Sequence, residues 1–99
     1  MEKLAILALL TAKTGKDQEV EQFLKSALAL AQAEAGTTSW YAIKLDASRF
    51  AIFDTFADEN GRDAHLSGEI ARALFARARD LFSEPPAVSQ ADILAAKTF

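Results

Sequence analysis

Two stretches, Leu4–Thr11 (LAILALLT) and Arg49–Phe56 (RFAIFDTF), carry apolar residues at odd and even positions alike. A strand with one wet face alternates apolar and polar residues. A strand that is apolar on both parities is covered on both faces. Any fold for this chain must therefore place these two strands inside a sheet clothed on each side. The 99 residues allow a single domain, 1–99. A domain of that size buries roughly 60–65% of the surface its unfolded chain exposes. With 51% apolar residues, one small core leaves apolar side chains over, and a homodimer interface would cover them.

The rest of the chain fits around that pair. After Leu4–Thr11, Gly15 permits a turn and Asp17 can cap the helix that follows. Over Gln18–Ala35, Val20, Phe23, Leu24, Ala27, Leu28 and Ala31 fall on one helical stripe, with Glu19, Glu21, Gln22, Lys25 and Gln32 outside. Gly36 stands where a left-handed residue would stop that helix. Thr37–Leu45 is rich in strand formers, with Trp40, Ala42 and Lys44 on one face and Tyr41, Ile43 and Leu45 on the other. Asp46-Ala47-Ser48 is short enough for a hairpin into Arg49–Phe56. Asp58 can cap a short helix over Glu59–Leu66, and Ser67-Gly68 interrupts it. A longer helix over Glu69–Phe82 has Ile70, Leu74, Ala78 and Leu81 in one apolar row, widened by Phe75 and Phe82. Pro85 and Pro86 forbid its continuation. Val88–Ala96 is a weakly alternating last strand.

The order β-α-β-β-α-β, with one extra short helix, suits an α+β ferredoxin-like fold. Its four-stranded antiparallel sheet carries the helices on one face, and its first and third strands lie in the middle. Those are the two strands that are apolar on both parities. The face away from the helices then still needs a cover, and a second copy of the same sheet would supply one.

Charge and composition exclude several function classes. Eleven Lys and Arg against fourteen Asp and Glu give a net charge of −3, and the basic residues are scattered, so nothing attracts a nucleic-acid backbone. The chain has no cysteine, which removes disulfides, thiolate nucleophiles and zinc–sulfur sites and is compatible with the cytoplasm. Leu4–Leu10 after Glu2-Lys3 has the length of a short leader core. However, Glu2 offsets Lys3, no small-x-small cleavage site follows at a suitable distance, and Lys13 and Lys16 come at once. A buried strand is the better reading, and no other apolar run approaches a membrane span.

The chemical inventory is short. There is no phosphate loop, dinucleotide fingerprint or nucleophile elbow. His65, with Asp63 and Glu69 near it, forms no metal-ligand cluster of recognisable spacing, so no metal is expected. His65 is the single histidine and the one side chain whose ordinary pKa lies near neutrality. It is the natural proton carrier if there is catalysis, or else a histidine packed at a helix–sheet seam with its ring bonded to a carbonyl. Asp54, inside an apolar strand, must be paired, solvated or protonated, and Arg49, Lys44 or an arginine of a second copy are candidate partners. Trp40, Tyr41, Phe50, Phe53 and Phe56, with Phe75 and Phe82, either line a pocket for a flat ligand or fill the core.

Arg49-Phe-Ala-Ile-Phe-Asp54, then Phe56, Asp58-Glu59 and Asp63-Ala-His65-Leu66-Ser67, resemble the antibiotic biosynthesis monooxygenase domain. The resemblance extends over nearly the whole chain, including the turns at Gly36 and at Pro85-Pro86. It implies a dimeric α+β barrel, two ferredoxin-like units joined through their sheet faces. It also implies kinship with oxygenases that oxidise phenolic, quinol-like or polycyclic aromatic small molecules without metal, flavin or haem. In those, the substrate's own anion reduces oxygen inside an apolar pocket. Carried over, His65 is the proton carrier, and Trp40, Tyr41, Phe53, Phe56 and Phe75 are the substrate-binding walls. A non-catalytic dimer that binds a small apolar metabolite is the alternative. The chain departs from the haem-degrading branch of the family. It has no asparagine on the first strand, His65 stands near that branch's tryptophan, and Phe75 stands near its ligand histidine. It also has Glu69 where a histidine often follows the small-residue break, and Phe56 where tryptophan is frequent.

Overall fold

The two strands that are apolar on both parities pair with each other at the centre of one sheet. The computed structural model describes residues 3–98, so Glu2, weighed against Lys3 in the leader reading, lies outside the described residues. The elements are β1 (Leu4–Thr11), α1 (Asp17–Ala33), β2 (Thr37–Lys44), β3 (Arg49–Phe56), α2 (Glu59–Leu66), α3 (Glu69–Ala76), α4 (Ala78–Leu81) and β4 (Ala87–Asp92). The sheet is antiparallel throughout, in the order β2-β3-β1-β4. This is the expected α+β ferredoxin-like arrangement. Among the described residues, no helix is long and apolar enough to cross a membrane.

Register sorts the side chains. The rows Ile6–Asp54–Trp40, Ala8–Ile52–Ala42 and Leu10–Phe50–Lys44 face the helices. Leu10, Phe50 and Ile52 pack there with Val20, Leu24, Leu74, Leu81 and Phe82 to form the core. The rows Leu7–Phe53–Tyr41 and Leu9–Ala51–Ile43 face the other way. They leave large apolar groups in water, with Leu9 47% and Tyr41 58% exposed.

Several local expectations need correction. Asp17 does not cap α1; it lies in the first turn, and the capping position is Lys16, which makes no side-chain cap. Of the two glycines expected in turns, Gly15 has positive φ (83°) and Gly36 does not. Gly36 is required for a different reason: a Cβ there would sit 2.6 Å from Gly61 Cα, and one on Gly61 would sit 2.8 Å from Gly36 O. The start of α2 thus presses backbone to backbone on the turn between α1 and β2, with no room for a side chain. The long last helix is broken at Arg77. Beyond the break, Lys13 N–H donates to Leu81 O and Ala12 bridges to Phe82. The chain is drawn into extended pairing with the end of β1, which overrides helical periodicity. Phe75, before the break, is exposed, and so is Leu28 on α1. β4 stops at Asp92 because its partner begins at Leu4. The last bond of the ladder is Ile93 N–H to Lys3 O, and Leu94 lies in water.

Candidate functional site

A buried carboxylate and the single histidine meet where α1, α2 and β3 converge. Asp54 faces the helices because its parity on β3 matches Phe50 and Ile52, and it is 0% exposed. His65 comes from the last turn of α2, a helix started by Asp58, whose side chain accepts from Gly61 N–H at 2.8 Å. The Gly36–Gly61 contact lets α2 lie close enough for His65 to reach the sheet. His65 Nε2 lies 2.9 Å from Asp54 Oδ2. That is ion-pair distance, but the approach is off the axis of the ring N–H. Neither Asp54 oxygen has an aligned hydrogen-bond donor among the described residues. The two partners expected for Asp54 within the chain are engaged elsewhere: Arg49 pairs with Asp46 at 2.7 Å and Lys44 with Glu21 at 3.5 Å.

The third member is Glu34, the residue at which α1 ends in extended geometry. His65 Nδ1 donates to Glu34 Oε1 at 2.6 Å, and Thr37 Oγ1 donates to the same oxygen at 2.7 Å. The Phe56 ring backs the imidazole, with centroids 5.2 Å apart. Burial disfavours charge on His65, but Asp54 first and then Glu34 outweigh it and hold the pKa above the usual histidine value of 6.5. His65 is therefore biased toward its imidazolium form, between the carboxyl groups of Asp54 and Glu34. Neither ring nitrogen is free, and Glu34 is the member of the three that reaches water.

Glu34 and His65 border a cleft of about 460 Å³ whose other walls include Gly36, Gly61, Gly68 and Arg72. A charged rim over small residues can take a polar group of a ligand. Of the aromatic residues named from sequence, only Phe56 is in contact with His65. Trp40 lines a groove between α1 and β2. Tyr41 and Phe53 line the open sheet face beneath the segment after β4, and Phe75 is beside Pro85 and Pro86. Sequence reasoning missed Glu34. It lies 31 positions from His65 and looks like an ordinary solvated helix residue. The signal that existed was Asp54: a carboxylate inside an apolar strand needs a cation, and His65, eleven positions on, was one of the groups able to supply it.

No family model matches the chain, and no curated protein does. Among solved structures, a protein of unknown function from Nitrosomonas europaea is 52% identical, with a TM-score of 0.95, over 99% of this chain and 95% of that one. A second Nitrosomonas europaea protein, named as a candidate antibiotic biosynthesis monooxygenase, has a TM-score of 0.82 at 15% identity, over 94% and 91% of the two chains. One of the same name from Caulobacter crescentus has a TM-score of 0.80 at 14% identity, over 95% and 92%. The chain thus belongs to one family with the Nitrosomonas europaea protein of unknown function, and its fold is that of the antibiotic biosynthesis monooxygenase domain.

Proposed function

We propose that the protein is a cytoplasmic, cofactor-independent monooxygenase of a phenolic, quinol-like or polycyclic aromatic small molecule, with His65 as its proton carrier. The observation that carries this is the Glu34–His65 couple at 2.6 Å, opening through Glu34 onto the cleft. For a naphthol, the phenolic proton passes to Glu34 at the edge of the cleft, in exchange with His65 Nδ1, and the electron-rich ring reduces dioxygen. A C–O bond forms at the ring carbon and the O–O bond breaks. The second oxygen departs as water with the phenolic and ring hydrogens, leaving a quinone. All four electrons come from the substrate. The proton between His65 Nδ1 and Glu34 is the mobile one, Asp54 keeps the imidazolium compensated, and Arg72 faces the phenolate. Oxygen uptake against naphthols and hydroquinones tests this. Uptake is expected above blank, and a fall of about 100-fold in His65→Ala. No uptake by the wild type would end the proposal. A raised melting temperature with those compounds but no turnover would establish the non-catalytic binding module instead.

The assembly proposed with it is a homodimer through the open sheet face, closing two sheets into an α+β barrel and bringing Tyr41 and Phe53 inside. Its support is the apolar row of Leu7, Leu9, Tyr41 and Ile43 left in water. Light scattering at micromolar concentration is expected to give the dimer mass, and Leu9→Lys the monomer mass. A wild-type monomer would rule the barrel out.

A further inference from the structure

A second groove lies on the helix side of the sheet, between α1 and the outer edge strand β2, and shares no residue with the His65 cleft. We propose that it binds an amphipathic monocarboxylate, the apolar body against Leu24, Leu28, Trp40 and Phe50 and the carboxylate between Lys25 and Lys44. This inference is independent of the oxygenase proposal.

Three observations meet here. The groove is about 490 Å³, within the range of small-ligand sites. Its apolar floor continues the core outward. Leu24 and Phe50 are buried core residues, while Leu28, one turn along α1, is in water beside them. From α1 the groove is lined by Glu21, Leu24, Lys25 and Leu28.

The mouth carries unbalanced charge. Lys25 and Lys44 each lie 3.5 Å from Glu21, one from each carboxylate oxygen. Two ammonium groups thus share one carboxylate, a local excess of one positive charge on a chain of net charge −3. Lys44 Nζ also lies 5.8 Å from the centroid of the Phe50 ring, so a cation stands directly over the apolar floor. One further anion completes this arrangement with no rearrangement of the backbone. Charge complementarity therefore selects an apolar acid over a neutral apolar molecule.

Trp40 is the single tryptophan of the chain, so its emission reports on this groove. Decanoate and 1-decanol are titrated into the full-length protein below their self-association limits. Decanoate is expected to shift Trp40 emission saturably, with decanol about tenfold weaker. Lys25→Gln and Lys44→Gln each weaken decanoate by about threefold, the scale of a surface ion pair, and leave decanol unchanged. Glu21→Gln, which removes the competing carboxylate, tightens it. All three sites are exposed or half-exposed, so the variants retain the fold. Leu28→Gln, also at an exposed site, is expected to weaken both compounds. Two results would overturn the proposal: no saturable change with decanoate, or equal affinity for acid and alcohol.

Discussion

At its N-terminal end α1 is tied to α4 by four charges largely in water, and at its C-terminal end it is tied to α2 and β3 by a group of three, of which His65 and Asp54 are buried and Glu34 half-buried. In the first group, Lys16 contacts Glu19 and Asp80 at 3.3 Å each, and Arg77 contacts Glu19 at 3.3 Å and Asp80 at 2.9 Å. In the second, His65 lies 2.6 Å from Glu34 and 2.9 Å from Asp54. The distances are alike and the surroundings are not. Water and salt screen the outer group, and holding long side chains in place offsets what attraction remains. In the inner group, the desolvation cost has already been incurred in the folded state, so losing one partner strands the others. Distance therefore does not rank these contacts; burial does.

The largest effect should come from taking one carboxylate out of the buried group. Asp54→Ala leaves His65 with Glu34 alone and opens a void at a fully buried position. A loss of about 3–5 kcal/mol is expected in urea unfolding. A loss below about 1 kcal/mol would show that the inner group is no stronger than the outer one. Gly61→Ala attacks the same seam without touching a charge. Its Cβ would stand 2.8 Å from Gly36 O, and the φ of Gly61 is not positive, so the cost is overpacking alone. About 1–3 kcal/mol is expected, with His65 drawn away from Asp54. An unchanged unfolding midpoint would mean that α2 has slack at this contact.

The two groups should also answer pH with opposite signs. The pKa of His65 is raised from 6.5 in the fold. Its contribution is therefore complete below the unfolded value and is lost as pH rises through the folded one. The pKa of Asp80 is lowered from 3.8, chiefly by its hydrogen bond to Arg77. Its contribution is present above the unfolded value and is lost as pH falls through the folded one. Melting temperatures of the wild type, His65→Gln and Asp80→Asn across pH check this. The His65→Gln deficit should shrink on the alkaline side, and that of Asp80→Asn on the acid side. A His65→Gln deficit that grows with pH would contradict a charged His65.

Much of this contrast could not be read from the sequence. Hydrophobic pattern located β1 and β3 and their central places, because strands apolar on both parities must lie inside the sheet. The partner of His65 was half legible: Asp54 signalled a need for a cation, but pairing across eleven positions depends on how α2 lies on the sheet. Glu34 and the Gly36–Gly61 contact were not legible at all. Each joins segments that meet only after the turn and α2 have docked. The break at Arg77 was hidden for a related reason, since pairing of Phe82 with Ala12 is non-local and competes with an intact helical pattern. The aromatic residues mark the opposite limit. Their strand parity was clear, yet parity alone does not say which of them share a cavity.

The smallest effect belongs to Arg77→Ala. Arg77 stands at the junction of α3 and α4 and donates to both Glu19 and Asp80, so it has the look of the residue that fixes the break. Exposure makes it dispensable there. Both carboxylates are about half in water and exchange a guanidinium for solvent at little cost. The junction is held instead by buried apolar groups and backbone bonds. Leu81 and Phe82 are core residues, and Leu81 O and Thr11 O accept from Lys13 and Ser83 across the gap to β1. Arg77→Ala should leave the far-ultraviolet circular dichroism unchanged and the melting temperature within scatter of the wild type. Raising the salt to 1 M, where the screening length is about 3 Å, should change the wild type just as little. If the variant instead melted as early as Asp54→Ala, screening would not be what separates the two ends of α1.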